Sequence, residues 1–221
     1  MAVAKTGWGA LISLLLVLPM SGCDRTFPSS KVSGEAGEQA KWWGLVKENA
    51  SPKQAIDFTW EVVDAPGPFA QVVARAQYDV MNEDECGYVH PATGTSVRMT
   101  TSKDVPLKRL SAEEYEGTVF LDLLKDGAYY GQTACRWEFT GLAVVFLATT
   151  NPDATEFDIF MKRSSLLSGE TLAHHYPARH YPAIEGHSSF PSSGRPDIQE
   201  LSPEIRGSAF RAMIKSGGLT K

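Results

Sequence analysis

The sequence lacks most of the short motifs that identify an enzyme. Its 221 residues contain no G-x-S-x-G nucleophile elbow, no glycine-rich phosphate loop, no H-E-x-x-H and no C-x-x-C. It also lacks an excess of basic residues, because 21 lysines and arginines stand against 26 aspartates and glutamates. A nucleic-acid-binding protein would need a basic surface, so that role is not expected. Together these absences favour a non-enzymatic protein without a cofactor.

The amino-terminal residues have the three zones of a secretory signal. One basic residue precedes the apolar run at residues 9–18, and small residues come just before the cysteine of Met20-Ser21-Gly22-Cys23. The segment resembles the signal of bacterial lipoproteins, in which that cysteine is acylated and becomes the first residue of the mature protein. The family prefers leucine where this chain has Met20. The resemblance implies that residues 1–22 are a signal peptide and that Cys23 carries the lipid.

A transmembrane helix is the alternative for this segment. The apolar stretch at residues 8–20 is shorter than the about 20 residues that a bilayer core requires, and Gly9 and Pro19 interrupt it. Acyl chains on Cys23 would anchor the protein instead. In the best-studied lipoprotein sorting system, an aspartate at the position of Asp24 retains the protein at the inner membrane. We therefore expect an envelope lipoprotein that faces the periplasm, with the inner membrane favoured.

The two remaining cysteines predict a disulfide bond. Once Cys23 is assigned to the lipid, Cys86 and Cys135 form an even pair in an oxidising compartment. Metal and redox sites need more closely spaced thiols. The alternative is a pair of free buried thiols. A bond closing a loop of about 50 residues would stabilise the fold by roughly 4 kcal/mol, if its effect is to restrict the unfolded chain.

Composition and periodicity divide the rest of the chain into four parts. Residues 23–52 follow the signal as a tether, with a short Trp42-Trp43 segment that either lies on the membrane or packs onto the domain, the second being favoured. Residues 53–163 contain seven or eight short alternating strands between turn signals, which predicts a mainly β domain, an antiparallel sandwich or barrel. An extended arm follows at residues 164–200, and a closing helix at residues 201–221.

Some elements are predicted more sharply than others. The clearest strand is Val72–Val80, Ile56–Val62 is expected to be a half-buried strand, and Phe157–Met161 is expected to be the last one. The closing helix is expected over Pro203–Lys215, because Ser202 suits the N-cap and proline suits the first helical position. The side chains expected to anchor the core are Trp60, Trp137 and Phe139.

One histidine-rich stretch has chemical character. Four of the five histidines lie within residues 174–187, and neutral imidazole binds zinc or copper. Their spacing matches no structural zinc pattern, and two prolines deny the stretch a helix. We therefore expect no metal, but an arm that is solvated or contacts a partner protein. Its candidate contact residues are His174, His175, Tyr176, His180 and Tyr181; a metal site built from His174, His175, His180 and His187 is the alternative.

Acidic residues cluster at two places, at Glu83, Asp84 and Glu85 and again at residues 113–116. These clusters lack the ligand spacing and central glycine of a calcium loop. Solvated turns account for them, and the Glu83, Asp84 and Glu85 turn is also a candidate contact for a basic partner, since complementary charge speeds encounter.

The layout of signal, tether, disulfide-bonded β domain and acidic surface resembles the small lipoproteins that inhibit, or give immunity against, toxins and lytic enzymes acting in the periplasm. The resemblance is one of layout, and it implies a protein partner: a secreted hydrolase or toxin. Two alternatives stay open. One is an accessory lipoprotein of an envelope or secretion assembly, and the other is a metal-dependent envelope enzyme.

Overall fold

The structure is a computed structural model that describes residues 46–89, 93–94, 96–129, 133–184 and 191–219. The predicted signal peptide, Cys23, Trp42, Trp43 and His187 lie outside these residues. Within the described ranges, no helix has the length and apolar character needed to cross a membrane.

The described residues form strands joined by short helical turns. In chain order the strands are β1 (Ala55–Val63), β2 (Gln71–Val80), β3 (Tyr88–Val89), β4 (Ser96–Val97), β5 (Thr100–Val105), β6 (Leu107–Arg109), β7 (Glu114–Phe120), β8 (Trp137–Leu147), β9 (Glu156–Lys162), β10 (Thr171–Pro177) and β11 (Ala209–Leu219). The helices are α1 (Glu83–Cys86), α2 (Arg163–Leu167) and α3 (Pro203–Arg206), with 3₁₀ turns at Ala178–His180 and Ile198–Glu200.

Two antiparallel sheets account for most of these strands. One has five strands in the order β10-β11-β1-β7-β6, and the other has four in the order β5-β2-β8-β9; β3 and β4 form a separate pair. The indole of Trp60 on β1 lies 5.0 Å, centroid to centroid, from the ring of Phe146 on β8. Since β1 and β8 belong to different sheets, the sheets pack face to face. The predicted mainly β sandwich is confirmed.

Alternation along β1 shows why this segment forms a central strand. Ile56, Phe58, Trp60 and Val62 are all buried, while the residues between them are exposed or half-buried. Removing such side chains from water stabilises a fold by about 1.5–3 kcal/mol each. Trp137 and Phe139 are also buried, so all three predicted core anchors are confirmed.

The two sheets are connected at both sides, which gives the sandwich a barrel-like character. On one side only Pro106 separates β5 at the edge of one sheet from β6 at the edge of the other. On the other side the segment 191–195 bridges β9 and β10, because Ser192 pairs with Phe157 and Arg195 pairs with His175. Unpaired edge strands invite association with other chains, and segment 191–195 pairs part of the β9 and β10 edges.

The predicted disulfide is confirmed between Cys86 and Cys135, whose Cα atoms are 5.2 Å apart. It connects α1, directly after β2, to the residues before β8. The tether meets the domain before residue 52, since Glu48 forms a bridge with Leu124 and the amide of Asn49 donates to the Leu123 carbonyl.

The closing helix needs a correction. A helix does begin at Pro203, after Ser202 at the N-cap, but it ends at Arg206, and Ala209–Leu219 is strand β11. Apolar residues at Ile205, Ala209, Ala212 and Met213 suit a helical period near 3.6. The buried side chains Phe210, Ala212 and Ile214 have a period of two instead, because β11 lies between β1 and β10.

The extended arm at residues 164–200 also needs a correction. It contains α2 and the strand β10, so Phe157–Met161 is not the last strand. Strand β10 pairs along its whole length with β11. Burial does not alternate along β10: Thr171 is exposed, residues 172–175 are half-buried, and Tyr176 and Pro177 are buried. The sequence therefore has no two-residue period that would mark it as a strand.

Candidate functional site

The acidic turn is partly a structural feature. The Glu83 Oε1 atom accepts a hydrogen bond from the amide of Met99 at 3.0 Å, and Glu85 Oε2 accepts one from Asn82 Nδ2 at 3.2 Å. These two carboxylates therefore hold α1 in place beside the disulfide. Asp84 lies between them and is exposed, so it is the member of this turn best placed to meet a partner.

Both tyrosines of the predicted partner-binding arm are engaged within the domain. Tyr176 is fully buried, and its hydroxyl donates to the Asp158 carbonyl at 2.7 Å. The prediction that Tyr176 contacts a partner is wrong, because Tyr176 faces inward from β10. Tyr181 is half-buried, and its hydroxyl donates to the Pro68 carbonyl at 2.6 Å. This hydrogen bond holds the loop after β10 against the loop before β2.

The histidines of the arm diverge. His174 and His175 are neighbours on β10, so their side chains point to opposite faces of the sheet. His174 Nδ1 lies 2.7 Å from the Ser193 carbonyl oxygen, whereas burial and the charge of Arg211 lower the pKa of His175. Within the described part of the chain, no three His, Cys, Asp or Glu side chains are grouped so that they could hold a metal ion.

His180 lies in a pocket of about 440 Å³ at the end of the sandwich. Its Nδ1 atom is 3.2 Å from the hydroxyl of Ser192. Burial, with a smaller effect from Arg179, lowers its pKa below the ordinary value of 6.5. The imidazole is therefore mostly neutral at pH 7 and can offer one donor and one acceptor. Exposed Arg195 and Glu200 complete the polar lining.

The acidic turn and the His180 pocket lie at opposite ends of the molecule. Tyr181, next to His180, contacts the residues that precede β2, while the acidic turn directly follows β2. Ten residues of extended chain span about 30 Å. The structure therefore does not bring the two predicted contact regions together.

A larger cavity, of about 720 Å³, lies over the outer face of the five-stranded sheet. None of the residues proposed from the sequence lines it. Its polar lining comes from outward positions of neighbouring strands: Asp57 and Thr59 of β1, Glu116 and Thr118 of β7, Lys108 of β6 and Lys215 of β11. The sequence shows that polar residues alternate with the core residues of β1, but it does not show which strands lie on either side of β1. The cavity could therefore not be predicted from the sequence.

In comparisons with known proteins, no family model, no curated protein and no solved structure matches the chain.

Proposed function

We propose that this protein is a lipid-anchored binding protein on the periplasmic side of the bacterial envelope, and that it acts as an inhibitor or immunity protein. It would block a toxin or lytic enzyme by protein–protein contact, without catalysis or a cofactor. The observation that carries the envelope location is Met20-Ser21-Gly22-Cys23 after an apolar run. The Cys86–Cys135 disulfide supports it, because such bonds persist in oxidising compartments.

The rim of the His180 pocket is the contact surface that the geometry favours. The amide of Ser192 donates to the Glu156 carbonyl at 2.7 Å, and the amide of Arg195 donates to the His175 carbonyl at 2.9 Å. A loop held in this way loses little conformational freedom when a partner binds. Arg195, Glu200 and His180 offer charged and neutral hydrogen-bonding groups within one small area.

A metal-dependent enzyme receives no support from this geometry, because His174 and His175 face opposite ways and His180 pairs with Ser192. An accessory role in an envelope assembly would use the same lipid anchor. The partner protein recovered by affinity capture distinguishes that accessory role from inhibition of an enzyme.

The test is affinity capture with the full chain, tagged at the carboxyl terminus and extracted from membranes with mild detergent. We expect one secreted hydrolase or toxin in stoichiometric amount, and purified protein should inhibit that enzyme's activity. The double substitution Arg195→Ala and Glu200→Ala should weaken capture at least tenfold. Arg75→Ala, at an exposed site on the outer face of the other sheet, is the matched control and should leave capture unchanged.

Two results would contradict the proposal. Recovery of integral subunits of an envelope complex, with no enzyme among them, would assign the accessory role instead. A bait that recovers no specific partner from either the envelope or the secreted fraction would leave inhibition without a target.

A further inference from the structure

The 720 Å³ cavity is formed by side chains that the sheet register places in rows across four strands. Thr59 of β1 lies opposite Lys215 of β11 on one side and Glu116 of β7 on the other. Glu116 in turn lies opposite Lys108 of β6. One row of the floor therefore runs Lys215, Thr59, Glu116, Lys108, and the next row contains Asp57 opposite Thr118.

The charges in and around this cavity are largely neutralised by one another. Lys108 Nζ lies 2.7 Å from Glu116 Oε1, and Lys215 forms an ion pair with Glu61. Asp57 Oδ1 accepts a hydrogen bond from the Thr118 hydroxyl at 2.6 Å. An anionic ligand would have to draw the two lysines out of these ion pairs, whereas a neutral polar ligand can add hydrogen bonds without breaking them.

One end of the cavity is apolar. Phe120 lies opposite Ala55, one position beyond the row of Asp57 and Thr118 on the same outer face, and it is half-buried. Pro106 and Leu107 also contribute to the lining. The Phe120 ring therefore offers an apolar surface next to the hydrogen-bonding side chains of Asp57 and Thr118.

We infer that this cavity binds a neutral oligosaccharide. Each sugar hydroxyl donates and accepts hydrogen bonds, and the floor offers both kinds of partner: donors at Lys215 and Lys108, an acceptor at Glu116, and a hydroxyl at Thr59 that does both. The C–H face of a sugar ring would pack on Phe120. The volume is within the range of about 300–1,000 Å³ typical of small-molecule sites. The inference goes beyond the proposed function and does not depend on it.

The test is isothermal titration of the full chain, held in detergent micelles, with chitotetraose and with cellotetraose. We expect at least one of them to bind with a Kd of about 1 mM or tighter. Thr59→Val keeps the shape of the side chain and removes its hydroxyl, and Phe120→Ala removes the ring; each should weaken binding about tenfold. Ser102→Ala, exposed on the other sheet, is the control and should leave the Kd unchanged.

Three outcomes would overturn the inference. The first is no heat of binding with either oligosaccharide, from a chain whose melting temperature shows that it is folded. The second is tighter binding of the anionic trigalacturonate, which would mean that the lysines are available to a charged ligand. The third is binding of hexaglycine in place of the sugars, which would assign the cavity to a peptide. Partner capture is measured separately, so failure here leaves the proposed inhibition to its own test.

Discussion

At the scale of single residues, the Tyr78 hydroxyl connects the two sheets. It donates to the carbonyl of Phe120 at 2.6 Å, and so joins β2 of one sheet to β7 of the other. Burial, with smaller effects from Asp122 and Glu48, raises the pKa of Tyr78. The hydroxyl therefore keeps its proton, and its role as donor, well into alkaline solution.

Tyr78→Phe should lower the free energy of unfolding by about 1–2 kcal/mol, because it leaves the Phe120 carbonyl without this donor. Urea denaturation at neutral pH measures the change. Tyr129→Phe removes an exposed hydroxyl that donates to the nearby Lys125 carbonyl and accepts from the Lys47 amide, and it should cost less because water can replace both contacts. Equal losses in the two variants would argue against a special role for the contact between sheets.

Asp79 is a buried carboxylate on the outer side of the four-stranded sheet. Burial by itself would raise its pKa, but hydrogen bonds from Thr100, Thr140 and Gln77 lower it below its usual range. The Arg98 guanidinium, 2.9 Å from Asp79 Oδ2, acts in the same direction.

A lowered pKa in the folded state means that ionised Asp79 stabilises the fold above its unfolded pKa of about 3.9, and that this contribution is lost as the pH falls through the folded value. Asp79→Asn should therefore destabilise the protein at pH 7, and the difference from wild type should shrink at pH 2. Asp84→Asn, at an exposed site, serves as control and should change stability little. A difference between Asp79→Asn and wild type that is independent of pH would contradict this account.

At the scale of elements, the segment 191–195 closes the sandwich beside β10, and Gly194 allows it to approach. Gly194 has a φ of +65°, and a Cβ atom there would lie 2.7 Å from the Tyr176 ring. Both the left-handed backbone and the close ring favour glycine.

Gly194→Ala should lower the free energy of unfolding by about 2 kcal/mol or more. Gly207→Ala is the matched control, because Gly207 has a φ of −69° and open space around its Cα. That variant should be neutral or slightly stabilising. Thermal unfolding of the two proteins in parallel measures the contrast. Equal melting temperatures would mean that segment 191–195 does not need glycine at position 194 to approach Tyr176.

The disulfide ties α1 to the start of β8 across 49 residues of sequence. Replacing both cysteines, as Cys86→Ser with Cys135→Ser, should cost roughly 4 kcal/mol and lower the melting temperature by about 10 °C. Calorimetry of the double variant is compared with that of the wild type with and without reductant. A wild type that melts at the same temperature in both conditions would show that the bond contributes little.

At the scale of the whole molecule, the sandwich exposes two outer sheet faces and two ends. The proposed anchor at Cys23 precedes the first described residue by 23 positions. If that cysteine is acylated, Cys23→Ala should move the protein from the membrane fraction to the soluble fraction of the periplasm. Immunoblots of the separated fractions measure this, with Cys86→Ser as the cysteine control. Unchanged membrane association of Cys23→Ala would refute the lipoprotein assignment.

The sequence by itself was enough to predict the features that depend on local pattern or covalent chemistry. The two-residue period of β1 and β2, the burial of Trp60 and the pairing of Cys86 with Cys135 are of this kind. The amino-terminal signal is also a local pattern, and it stays a prediction because it lies outside the described residues.

Only the tertiary structure decided which faces are buried in the last third of the chain. Strand β11 could be read with a helical or a strand period, and its place between β1 and β10 selects the strand. The same pairing turns Tyr176 inward and separates His174 from His175. The outer cavity arises from residues of β1, of the neighbouring strands β6 and β7, and of β11 near the end of the described chain. Such neighbours are chosen by packing over the whole domain, which no local pattern records.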